Sequence, residues 1–290
     1  MTRPRLRRLV QLVQARPESL RRTLLLHEEA LDLAESRLVN ASLEEGVTRA
    51  SLILDSWASE DTKRSRASLL EVEVLPNAAA AAERGAEYVA ECARDAVADR
   101  GRFTFAVSGG RAVDAMLQRL YGRMPWEKVT IYQVDERIVP DDDPERNLRQ
   151  LKRSLPPGGA ADIHATLVGA HDLEGAAAAY ARSLPPNIDL VHLEIGPDGH
   201  TASLVPGDPV LDVTDRDVAL TEPYMGLRRM TLTYPVLNRA RHLLWLITGD
   251  DNADALRRMR AGDRSIPASR VATDRAIVFA DAAAAGEGAS

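Results

Sequence analysis

The sequence runs to 290 residues, enough for one large domain or a domain with an appendage. With 45% hydrophobic and 28% charged residues it has a globular composition, and a net charge of -6 argues against a general nucleic-acid coat. The single cysteine, Cys92, excludes an internal disulfide and a cysteine-built zinc cage and fits a reducing cytoplasm, while no apolar run approaches the ~20 residues that span a bilayer. The basic N-terminus lacks an apolar h-region and a small-residue cleavage site, so secretion is not expected.

Residues 1–68 read as an α-helical extension of unknown role. Leu24, Leu31 and Leu38 are spaced by seven among charged residues, and "ASEDTKRSRAS" is a polar linker candidate. From Leu69 the pattern changes, and residues 69–290 read as the catalytic domain. "LLEVEVLP" alternates like a strand. Asn77 is placed to cap the alanine-rich helix that follows, which stops at Gly101. "FTFAV" is a buried strand, "SGG" a turn and "RAVDAMLQRLYG" a helix. "VTIYQV" is a strand running into "DERIVPDDDPERN", where Asp143 is placed to cap a helix opening at Pro144.

"HDLEGAAAAYARSL" is helical and "IDLVHLEI" a strand, which ends in "GPDGHTASLVPG". "RMTLTYP", "HLLWLIT" with the helix "DDNADALRRMR", and "RAIVFAD" complete the series. Strands separated by helices of this length predict an α/β fold: a mostly parallel, doubly wound sheet with helices on both faces. Ligands of such sheets bind beyond the carboxyl ends of the strands. Ser108–Gly110, Asp135–Arg137 and Gly196–Ser203 all fall there.

Each segment has a plain alternative. "SGG" before a helix start suits phosphate through free N–H groups, but a tight turn explains it equally, and it carries neither the Walker lysine nor the dinucleotide glycine spacing. Arg111 directly after it favours an anion. Asp135, Glu136 and Arg137 also read as a solvated charge run. His200 is the side chain suited to accept a proton near neutrality, with Asp198 two residues earlier as a partner for its ring. His192 and His242 lie within strands and read as packing residues. Arg228 and Arg229 precede a strand, and either could close on an anion. Only Lys63, Lys128 and Lys152 are lysines, and none is next to a glycine-rich turn, so anion binding falls to arginine and backbone amides and a Schiff base is not expected.

The order of these segments, SGG, then DER with Asn147 beyond it, then GPDGHTAS, then Arg229 with MTLT, resembles the 6-phosphogluconolactonase family of the glucosamine-6-phosphate isomerase/6-phosphogluconolactonase superfamily, from about Leu70 to Ala285. The resemblance implies a Rossmann-type fold and hydrolysis of a phosphorylated sugar lactone, 6-phospho-D-glucono-1,5-lactone, in the oxidative pentose phosphate pathway. No cofactor, metal, nucleic-acid or membrane partner is expected, and oligomeric state is left open. In that reading His200 is the general base, and Ser108, Gly109, Gly110 and Arg137 form the phosphate site. Asn147 and Arg229 join them in binding substrate. Asp135 and Asp198 orient the ring or meet sugar hydroxyls. Two departures stand out: Arg111-Ala112-Val113 follows SGG where the family commonly has Ser-Thr-Pro, and Asn252 replaces a lysine expected to hold phosphate, for which Arg111 is a plausible substitute. A glucosamine-6-phosphate deaminase would need a glutamate where Val205 stands and a tyrosine in place of Arg137. A sugar-phosphate-sensing transcription regulator, with DNA-binding helices in the N-terminal extension, is the remaining alternative.

Overall fold

A computed structural model of the chain describes residues 70–155 and 162–287. The expected helical extension over residues 1–68 lies outside the described residues.

Seven strands form one parallel sheet: β1 (Glu71–Leu75), β2 (Phe103–Val107), β3 (Val129–Gln133), β5 (Asp162–His164), β6 (Leu190–Leu193), β9 (His242–Ile247) and β10 (Ala276–Asp281). Their order across the sheet is β1-β10-β9-β6-β2-β3-β5. The central strands β2 and β6 are buried along their whole length, as their apolar runs FTFAV and LVHL require of strands covered on both faces. One core layer packs helices α1 (Ala78–Arg100), α2 (Arg111–Gln118) and α3 (Asn147–Ser154) on one face of the sheet. The other holds α4 (Leu173–Ser183), α5 (Tyr234–Asn238) and α6 (Ala253–Arg260) on the opposite face. This is the doubly wound arrangement that the alternation of elements predicts.

Helix ends follow local chemistry. Asn77 Oδ1 accepts the Ala80 amide at 2.9 Å, and Gly101 closes α1 in the left-handed region at φ 72°. Asp172 caps α4 through the Gly175 amide. The expected cap at Asp143 does not form. Its carboxylate accepts the Glu145 amide in a local turn, and α3 opens three residues later than Pro144, at Asn147.

Three short strands build a second, antiparallel sheet in the order β4-β8-β7: β4 (Asp135–Arg137), β7 (Val218–Leu220) and β8 (Arg229–Leu232). DER is therefore a strand and not a loop, and RMTL does not continue the parallel series. Asp135 pairs with Thr231, and Arg137 lies directly opposite Arg229. The chain leaves β3 and enters β4 after Val134 alone, so the second sheet is anchored at the carboxyl end of the first.

Candidate active site

The strand order reverses its direction of growth between β2 and β6. From β2 the chain steps to β3 and β5, then returns to β6 and moves outward through β9 and β10. A crevice opens beyond the carboxyl ends at such a point. Here it holds a cavity of about 380 Å³ whose lining includes Ser108, Gly109, Gly110, Asp135, Arg137, Asn147, His200 and Arg229. The three segments singled out in the sequence thus meet in one place.

His200 follows β6 in a tight turn, in which the Gly196 amide donates to the His200 carbonyl at 3.0 Å. The ring lies on the Gly196 backbone: a Cβ there would stand 2.1 Å from its Cε1, so only glycine lets the imidazole reach this position. Nδ1 is 2.6 Å from Asp198 Oδ1, which also accepts the His200 amide at 3.1 Å. Tyr224 donates its hydroxyl to the other Asp198 oxygen at 3.0 Å. Burial pushes the Asp198 carboxyl up, but these donors outweigh it and hold it below its ordinary range. With Nδ1–H given to a carboxylate, the lone pair of the neutral ring falls on Nε2, the nitrogen left for substrate.

Asp135 is buried and accepts the Ser203 hydroxyl at 2.6 Å, while the Asn147 amide group donates to its carbonyl at 3.1 Å. Burial raises its carboxyl pKa, and the Ser203 hydrogen bond opposes that rise. Arg137 donates to the Glu145 carbonyl at 2.8 Å, and Arg229 to the Tyr224 and Leu227 carbonyls at 2.7 and 3.1 Å. The Arg229 guanidinium also lies 5.2 Å from the Tyr224 ring centre. Each guanidinium has five donors, so both keep capacity for an anion.

Glu136 points the other way and is fully buried. Its carboxylate accepts the amides of Arg137, Asn147 and Leu148 at 2.8 Å each and the Gln133 side chain at 2.9 Å, and it is ion-paired with Arg146 at 3.2 Å. It supplies the cap that α3 lacks locally and so fixes Asn147.

At the SGG turn, the Ser108 hydroxyl donates to the His192 carbonyl, and Asn147 lies against Gly109. Arg111 is the first residue of α2, and its side chain is outside the described residues. Asn252 lines the cavity and donates to the Thr248 carbonyl at 2.9 Å, so an amide stands where the resemblance implies a lysine. Val205 also lines the cavity and is buried.

Several cavity residues were given no role in the sequence, among them Ser203, Tyr224 and Glu194. Ser203 and Tyr224 sit in quoted motifs, but their partners come from distant elements. Glu194 carried a signal, a lone acidic residue closing an apolar strand. Conversely, His242 is exposed at the start of β9 and is not a packing residue. It lines a larger groove, about 570 Å³, at the opposite end of the sheet, where Arg100 and Arg241 are ion-paired with Asp189. That groove holds no base positioned like His200. No helix among the described residues is long and apolar enough to cross a membrane.

The family described as glucosamine-6-phosphate isomerases/6-phosphogluconolactonase matches residues 76–279. A 6-phosphogluconolactonase of Synechocystis sp. is 34% identical over 203 residues, covering 64% of this chain and 83% of that one. One from Mycobacterium tuberculosis is 37% identical over 182 residues, covering 56% and 74%. Among solved structures, a 6-phosphogluconolactonase from Shewanella baltica superposes with a TM-score of 0.67 at 24% identity, over 73% of this chain and 97% of that one. A monomeric glucosamine-6-phosphate deaminase reaches 0.66 at 16% identity, over 75% and 100%. The two structural likenesses show the fold alone and do not separate the activities. The matched stretch runs from the end of β1 into β10 and takes in every cavity residue, and the chain belongs to the glucosamine-6-phosphate isomerase/6-phosphogluconolactonase family.

Proposed function

We propose that residues 69–290 hydrolyse the lactone of a phosphorylated sugar acid, 6-phospho-D-glucono-1,5-lactone, in the cytoplasm. The observation that carries this reading is the His200–Asp198 pair, 2.6 Å apart, in a cavity that also holds Arg137 and Arg229. Likeness to proteins named 6-phosphogluconolactonase supports the substrate class.

A lactone carbonyl is an activated ester, and a base with one positioned water is enough to open it. His200 Nε2 takes a proton from the water as its oxygen bonds to the carbonyl carbon. The tetrahedral intermediate then expels the ring oxygen, which receives the proton back from the imidazolium. Asp198 holds the ring and balances its transient charge. Asp135 and Asn147 are placed to meet sugar hydroxyls, and Arg137 and Arg229 to hold the anionic end with the SGG turn. Val205 argues against the deaminase alternative, because valine cannot move the proton that ring opening requires.

Freshly generated lactone offered to the protein and to His200→Ala tests this. The variant is expected to lose roughly 10²–10⁴-fold in rate. Equal rates for both proteins, at the spontaneous level, would remove the proposal.

A further inference from the structure

The turn expected to seat phosphate already carries a protein carboxyl. Glu194 leaves the end of β6 and lies across the first turn of α2. Its Oε1 accepts the Val113 amide at 3.3 Å, and a Cβ at Gly110 would stand 2.0 Å from Oε2. Gly110, at φ 149°, is the residue type that leaves this carboxyl room. Glu194 lines the same cavity as His200 and Arg229. An ionised carboxylate there would repel a second anion at close range.

We propose that Glu194 is a specificity-determining residue for the phosphorylated end of the substrate: one carboxyl oxygen stays on the Val113 amide, and the other, as an acid, donates a hydrogen bond to a phosphoryl oxygen. This rests on the phosphorylated-lactone reading above. The charges facing Glu194 support it. Three acidic groups approach it, Asp114 on α2, Asp135 on β4 and Asp251 from the turn before α6, and Arg137 and Arg229 line the same cavity from the second sheet, to which β4 also belongs. Burial pushes Glu194 up, the Val113 amide opposes the rise, and Asp114 and Asp135 add to it, leaving the carboxyl at about 8, so most of it is protonated at neutral pH. An arriving phosphoryl dianion strengthens that preference, and binding at alkaline pH must take up a proton.

Calorimetric titration of the full chain with 6-phosphogluconate from pH about 7.5 to about 9.5, and with inorganic phosphate from pH about 8.2 upward, reads this directly, because over those ranges each probe is almost wholly dianionic. Buffers of different ionisation enthalpy report the proton. For the wild type, the dissociation constant is expected to rise toward tenfold per pH unit above about 8, with close to one proton taken up. Glu194→Gln, which keeps a donor but cannot ionise, is expected to flatten this dependence and abolish the uptake. Unphosphorylated gluconate should show neither effect. A Glu194→Gln profile that parallels the wild type, or binding without proton uptake, overturns the role of Glu194. Lactonase turnover measured alongside separates the two readings. Normal turnover with pH-independent phosphate binding removes Glu194 alone. Proton-linked phosphate binding that Glu194→Gln abolishes, without turnover, removes the lactonase alone. Binding of neither probe at any pH removes both.

Discussion

Asp198 does for His200 what the imidazole cannot do for itself. Three donors converge on its carboxylate: the His200 amide, the ring Nδ1 and the Tyr224 hydroxyl. They keep it ionised, and an ionised carboxylate selects the tautomer with its lone pair on Nε2. Asparagine at this position keeps the shape but presents an amide of lower acceptor strength, and it permits the wrong tautomer. Asp198→Asn is therefore expected to lower kcat by roughly 10²-fold or more, within the 10²–10⁴-fold range attributed to a positioned base, with a smaller change in KM. Steady-state kinetics at saturating lactone check this, and a loss confined to KM would contradict the orienting role.

The elements that carry the site depend on one buried carboxylate outside it. Glu136 satisfies three amides and the Gln133 side chain, and it neutralises Arg146, which is itself buried. It joins β4 to α3 and so sets the distance between Arg137 and Asn147. Glu136→Ala strands these donors and a buried guanidinium, and is expected to cost about 3–5 kcal/mol in urea unfolding. A loss under about 1 kcal/mol would show that water replaces the carboxylate at little cost. This element also marks where the sequence stops being legible. Six of the seven parallel strands could be read from apolar runs such as FTFAV, but not β5, whose three residues DIH show no such run; the α1 and α4 boundaries could be read from Asn77, Gly101 and the start of the HDLEG stretch. Ser108, Asp135 and His200 could be placed at strand ends. The antiparallel sheet could not: β4 and β7 are three residues each, too short for alternation to show, and DER looks like a charge run until Glu136 is seen facing inward. Tyr224 was hidden for a related reason, since only the fold brings its loop to Asp198.

Across the whole molecule, the sheet's central position for β6 makes any titratable group on that strand a determinant of stability against pH. His192 is fully buried on β6, between β2 and β9, and neither ring nitrogen has a hydrogen-bond partner among the described residues. Burial pushes it down from 6.5 to about 3. For a base with a depressed value, the unfolded chain binds the proton first as pH falls. The stability that depends on a neutral ring is thus complete above about 6.5 and is lost progressively between about 6.5 and about 3. Glu194, just beyond β6, works in the opposite sense. Its raised value favours the folded chain below 4.5, and that advantage fades as pH rises through about 8. The two slopes oppose each other between 4.5 and 6.5, so together they favour a mildly acidic stability plateau. His192→Leu removes the ring without opening a large cavity, since the side chains are of similar volume, and it eliminates two buried unpaired nitrogens. Its melting temperature should exceed the wild type's by more at pH about 5 than at pH about 8, because only the acid side carries the proton-linked cost. Thermal unfolding at the two pH values measures this. The same increment at both would mean that His192 affects stability through packing alone.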